Sequence, residues 1–144
     1  MFEEFDNFIT EFAVEDFDID YWYDEGVDIA ENMICKFDDS DWQKLVKVIP
    51  KKNAEWCKRL AYCMHDSNDA NQLMVLLNLV ENDDDELFEI VVDSLRGFTS
   101  EESVGLIQDN LHIITKIEEL MPRVGVVTKK IFEVFLKQQA DEPL

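Results

Sequence analysis

Asp16, Asp18 and Asp20 stand at alternate positions, the spacing with which an EF-hand loop begins to gather oxygen ligands around calcium. The rest of such a loop is missing. Tyr21 stands where a glycine must turn the chain, and Val27 where a bidentate acid must close the shell. His65 and His112 lie far apart with no third ligand at metal spacing, so each reads as a surface or helix-end residue. Cys35, Cys57 and Cys63 form no CxxC pair, and an odd number of thiols cannot all pair within one chain, which points to a reducing compartment. Cys57 and Cys63 fall beside core positions of a helix, where a thiol behaves as a small apolar group. The sequence holds no nucleophile elbow, phosphate-binding glycine loop or zinc signature. These residue types point away from catalysis, and no metal or cofactor is expected.

Recognition is better served. Residues 1 to 35 hold twelve carboxylates, no Lys or Arg, and eight of the sixteen aromatic residues. A merely solvating acidic tail is poor in apolar side chains, so this segment is expected to fold and still project a negative field. Three consecutive aromatics, Tyr21, Trp22 and Tyr23, cannot share one helix face. At least one must reach the surface, where an aromatic ring among carboxylates makes a good interface anchor. Asp16, Asp18, Asp20, Tyr21, Trp22, Tyr23, Asp24 and Glu25 are therefore the candidate partner-binding residues. Asp83, Asp84, Asp85 and Glu86 are a secondary set, although the commoner role of such a run is to cap a helix and meet its positive dipole end.

A net charge of −20 over 144 residues works against direct binding of nucleic acid, which rests on neutralising phosphates with Lys and Arg. It works equally against the anionic face of a membrane. Placement of the charge is uneven: residues 1 to 41 hold fifteen acids and one base, Lys36, and the remaining eighteen acids share their stretch with twelve bases. Lys44, Lys47, Lys51, Lys52, Lys58 and Arg59 form a basic cluster whose expected role is to neutralise the acidic neighbour inside the fold. The chain begins with acids where a signal peptide would carry bases, and no apolar run approaches the ~18 residues that span a bilayer. A cytoplasmic location is expected.

The elements that must position these residues read as helices. Gly occurs four times and Pro three times, and apolar residues recur at three- and four-residue steps. Phe2, Phe5, Phe8, Ile9 and Phe12 line a first helix, and Val27, Ala30, Met33, Ile34 and Phe37 a second that begins near Asp20 to Asp24. Ser40 and Gln43 read as the capping box of a third helix, stopped by Pro50, and Asn53 as the cap of a fourth. A fifth and sixth flank the turn Glu81-Asn82-Asp83, with Gly97 as a left-handed stop. Thr99 and Glu102 offer a further capping box for a region broken near Asp109-Asn110. Pro122 opens a last helix that buries Val126, Val127, Ile131, Val134, Phe135 and an adjacent Leu136 unevenly.

Residues 45 to 64 also superpose on 76 to 95 with a shift of 31, matching Leu45 with Leu76, Ile49 with Val80, Trp56 with Leu87, Leu60 with Val91 and Met64 with Leu95. In its amphipathic helix, acidic turn, L-x-x-L-L-x-L-V run and next acidic turn, the stretch EWCKRLAYCMHDSNDANQLMVLLNLVENDDDELFEIVVDSLRGF resembles two units of the HEAT-like repeat family, in a short form of roughly 30 residues per helix pair. The resemblance implies an all-α fold, a short HEAT-like α-solenoid of antiparallel helix pairs with about 7–8 helices. The expected single domain, 1–144, divides into acidic capping helices (1–40), two helix pairs (41–97) and C-terminal capping helices (98–144).

In size, acidity, lone-domain organisation and this repeat, the chain also resembles the small acidic helical immunity proteins of bacterial contact-dependent inhibition and polymorphic toxin systems. That resemblance implies an inhibitor without enzymatic activity that binds one cognate basic toxin domain, a nuclease with an RNase favoured, one to one. A nuclease must be basic where it holds phosphates. The alternative is a HEAT-like adaptor that binds a folded protein or peptide on its concave face, which the short length disfavours. A HEAT-like DNA glycosylase would need a basic groove, contrary to the sign of the charge.

Overall fold

The computed structural model describes residues 1–13 and 19–140, and among these every regular element is helical. The chain forms two compact units, Met1–Met64 and His65–Leu144. The division falls inside the 41–97 stretch, at the exposed loop that starts with His65, Asp66, Ser67 and Asn68.

In the first unit, α1 (Phe2–Phe12) buries Phe2, Phe5, Ile9 and Phe12 along one stripe and leaves Phe8 half-buried. It packs against α3 (Val27–Ile34), α4 (Asp39–Val48) and α5 (Ala54–Tyr62). The rings of Phe5 and Phe37 meet edge-on at 5.4 Å, and Phe37 meets Trp42 at 5.1 Å. The cap of α4 is Asp38 and not Ser40: Asp38 accepts from the Asp41 amide at 2.8 Å, and Asp41 returns the contact to the Asp38 amide at 3.0 Å. Both residues of this capping box are carboxylates, and an acid at the cap gains from the helix dipole where a hydroxyl does not. Asp41 has a second task, accepting the main-chain N–H of Phe2 at 3.0 Å and so tying the start of α1 to α4. Asn53 caps α5 as expected, taking the Trp56 amide at 2.8 Å.

Two members of the basic cluster, Lys44 and Lys52, meet the acidic segment, and two others pair within their own helix. Lys44 reaches Glu3 at 3.2 Å and Lys52 reaches Asp6 at 2.7 Å, while the buried Lys58 and Arg59 lie 3.1 and 3.9 Å from Glu55. Cys57 and Cys63 are both buried, and burial, aided by the negative charge of Glu31, pushes the Cys63 thiol well above its ordinary range. A group so disfavoured as thiolate is a core residue and a poor nucleophile.

In the second unit, α6 (Ala70–Leu79) buries Leu73, Val75, Leu76, Leu77 and Leu79, too many for a single stripe, and packs on α7 (Asp85–Leu95). The stop after α7 is made without a left-handed glycine. Gly97 has no positive φ, and its amide and that of Phe98 close tight turns onto Ser94 and Leu95. α8 (Glu101–Gln108) is capped by Ser100, which takes the Ser103 amide at 3.1 Å, one residue later than the expected Thr99. The break near Asp109-Asn110 is present, and α9 (Leu111–Leu120) follows it.

Pro122 lies in a 3₁₀ turn, Met121–Arg123, and α10 (Val126–Ala140) begins only after Gly125. This displaces the expected buried face. Val126 and Val127 are 87% and 76% exposed, and the buried residues are Phe132, Phe135 and Gln139. Phe132 packs edge-on against Phe88 of α7 at 6.1 Å, and aromatic burial outweighs that of two valines in the first turn.

The 31-residue shift extends beyond the apolar positions to the caps. Asp38, Asp69 and Ser100 cap α4, α6 and α8, and Asn53 and Asp84 cap α5 and α7, each one shift from the next. After α8 the register is lost, because α8 is short and α9 starts at Leu111. The cap spacing of 31 residues thus runs from Asp38 through Asp69 to Ser100.

Candidate protein-binding surface

A continuous helical path carries the aromatic triplet: α2 (Ile19–Tyr21) runs into a π-helical turn, Trp22–Gly26, which runs into α3. One widened turn shifts the facing of the residues that follow it, and such turns recur at functional sites. Trp22 points inward with no exposure, against Phe12 at 5.1 Å and beneath the guanidinium of Arg59 at 5.9 Å. It is a core residue and leaves the partner-binding set, since an indole sealed by two neighbours offers nothing to a partner.

Tyr21 and Tyr23 lie outside, 42% and 48% exposed. One face of the Tyr21 ring stacks on Phe12 at 5.8 Å and 7°, which directs its remaining exposure outward. Tyr23 leans edge-on against Tyr62 of α5 at 5.4 Å, with the two hydroxyls 3.0 Å apart. These ring contacts hold both tyrosines in a defined orientation. Asp20, Asp24 and Glu25 are exposed beside them, as are Asp28 and Ile29 one turn further on. Asp16 and Asp18 lie outside the described residues. Tyr62, 39 residues from Tyr23, had no local signal in the sequence, and Asp28 and Ile29 were not singled out.

The secondary set splits by role. Asp84 caps α7, accepting the Leu87 amide at 2.9 Å, and Asp85 and Glu86 occupy its first turn. Lys116 of α9 stands 3.7 Å from Asp85 and lies over the Phe88 ring at 4.9 Å. His112 is 3.7 Å from Glu81, and both line a polar hollow of about 400 Å³ with Asp83 and Glu119. Asp83 and Glu86 remain exposed, but this run already serves the helix terminus.

One turn on, Glu89 is half-buried. Burial first, then the charges of Glu86 and Asp85, raise its carboxyl above the ordinary value, while a hydrogen bond with Thr128 draws it back. A raised native value means that the fold favours the protonated acid. That contribution is fully present below the unfolded pKa of about 4.3 and is lost as pH rises through the raised value. Glu89→Gln is therefore expected to stabilise the protein at about pH 7, with a gain that shrinks toward about pH 4. Thermal melts of both proteins at the two pH values check this, and an equal gain at both would place its origin elsewhere.

Among the described residues, no three His, Cys, Asp or Glu side chains converge as a metal-binding group, and no helix is long and apolar enough to cross a membrane. No protein-family model matches the chain, and comparisons with curated proteins and with solved structures find no match.

Proposed function

We propose that this chain is an immunity-type inhibitor that binds and neutralises one basic toxin domain, most simply a nuclease of the RNase type, in a one-to-one complex. The observation that carries the reading is the pair of half-exposed, pre-oriented tyrosines, Tyr21 and Tyr23, among the exposed acids Asp20, Asp24 and Glu25. No Lys or Arg occurs in residues 1 to 35 to neutralise that segment from within. Rigid aromatic anchors supply contact area at low entropic cost, and the acids steer a cationic partner and raise its capture rate. The 31-residue repeat supports a HEAT-like helical stack as the scaffold behind this surface.

The test is kinetic. Binding of a toxin-like domain encoded beside this chain should be measured at low and high salt, with the association rate falling steeply as salt rises. Asp20→Lys, Asp24→Lys and Glu25→Lys together should slow capture roughly tenfold at low salt, with a much smaller change in dissociation. An association rate indifferent to both salt and charge reversal would defeat the proposal and favour the adaptor reading.

A further inference from the structure

A second feature, confined to the other unit, calls for a ligand of different chemistry. Ile107, Leu111, Ile114, Leu136, Gln139 and Ala140 line a cavity of about 470 Å³ between α8, α9 and the end of α10. Its volume lies in the range of small-molecule sites, roughly 300–1,000 Å³, and its wall is apolar apart from two glutamines. Gln108 is already committed, since its Nε2 donates to the main-chain oxygen of Gln139 at 2.7 Å. Gln139 is 9% exposed, and its Oε1 has no hydrogen-bond partner among the described residues.

A buried acceptor without a donor is uncommon in native proteins and demands an explanation. Oε1 itself is shielded, but the terminal torsion of glutamine is soft, and rotation about it can present Oε1 to the cavity that its own side chain lines. At the rim, Leu111 is 77% exposed, which an apolar occupant would relieve. We propose that this cavity binds a small apolar molecule ending in one hydrogen-bond donor, of the phenol or indole type, with its ring among the isoleucines and leucines and its O–H or N–H donated to Gln139 Oε1. The site goes beyond the inhibitor reading and does not depend on it.

The test uses the whole chain and two probes that share a ring, 1-naphthol, which carries the donor, and 1-methoxynaphthalene, which does not. 1-Naphthol should bind roughly tenfold more tightly, the discrimination expected when only one ligand satisfies a buried acceptor. In Gln139→Met, of similar length but without the acceptor, the two affinities should converge. Methyl NMR of the wild-type protein supplies a readout that needs no variant: 1-naphthol should shift Ile107, Ile113, Ile114 and Leu136 and leave the methyl groups of residues 1–64 in place. Equal affinities of the wild type for the two probes, a preference that survives in Gln139→Met, shifts confined to other residues, or no binding of either probe at about millimolar concentration would each overturn the proposal.

Discussion

Trp56→Ala should cost about 3–5 kcal/mol, the range for truncating a fully buried aromatic residue, and should unfold the first unit preferentially. Three interactions meet on this side chain. It is 2% exposed, its Nε1 donates to Asp6 at 3.0 Å, and Lys52, which pairs with the same carboxylate, lies over the indole at 5.1 Å. Trp56 therefore joins α5 to α1 through both packing and a half-buried charge. Trp56→Phe bears mainly on the polar contribution, since it removes the N–H while keeping most, though not all, of the buried apolar volume, at an expected cost of about 1–2 kcal/mol. Urea unfolding followed by far-UV circular dichroism measures both variants. A loss below about 1 kcal/mol for the alanine variant would show that α1 is held by other contacts.

Gly26→Ala and Gly105→Ala should have opposite signs although both glycines are helical. A Cβ on Gly26 would stand 2.8 Å from Trp22 Cε3 and 3.0 Å from Phe12 Cζ, and neither ring has room to withdraw because both are buried. Overpacking of this kind costs typically 1–3 kcal/mol, more than the ~1 kcal/mol that alanine gains over glycine in a helix. Gly26→Leu should go further and disrupt the π-helical turn, turning Tyr21 and Tyr23 out of position. Nothing lies within 4 Å of a Cβ on Gly105, so Gly105→Ala should stabilise by about 0.5–1 kcal/mol. Denaturant midpoints of the two variants, measured side by side, decide the matter. Stabilisation by Gly26→Ala would mean that the Trp22 ring yields.

The all-helical class was legible because it rests on short-range periodicity, and so were the cap at Asn53 and the helix terminus in the run Asp83 to Glu86, although not that Asp84 is the residue of that run which caps. Two other caps were misplaced by one or two residues. In each case neighbouring polar residues compete for the cap, Asp38 near Ser40 and Ser100 beside Thr99, and the S/T-x-x-E/Q spacing on its own does not say which of them takes it. The face of α10 was misread for a related reason: Val126 and Val127 continue the apolar pattern, but Gly125 and the 3₁₀ turn set where the helix starts, and the aromatic contact to Phe88 sets its rotation.

The candidate surface divides in the same manner. That one of Tyr21, Trp22 and Tyr23 must face solvent, and that acids would surround it, follows from helix geometry and composition alone. Which of the three turns inward was a tertiary decision. Phe12, Gly26 and Arg59 form a slot that admits the flat Trp22 indole, whereas Tyr23 finds a hydroxyl partner in Tyr62 on a distant helix. Likewise the cavity beside Gln139 exists only because α8, α9 and α10 converge there. Periodicity, charge and capping act over a few residues and are written along the chain, while the pairing of remote side chains depends on how whole helices pack.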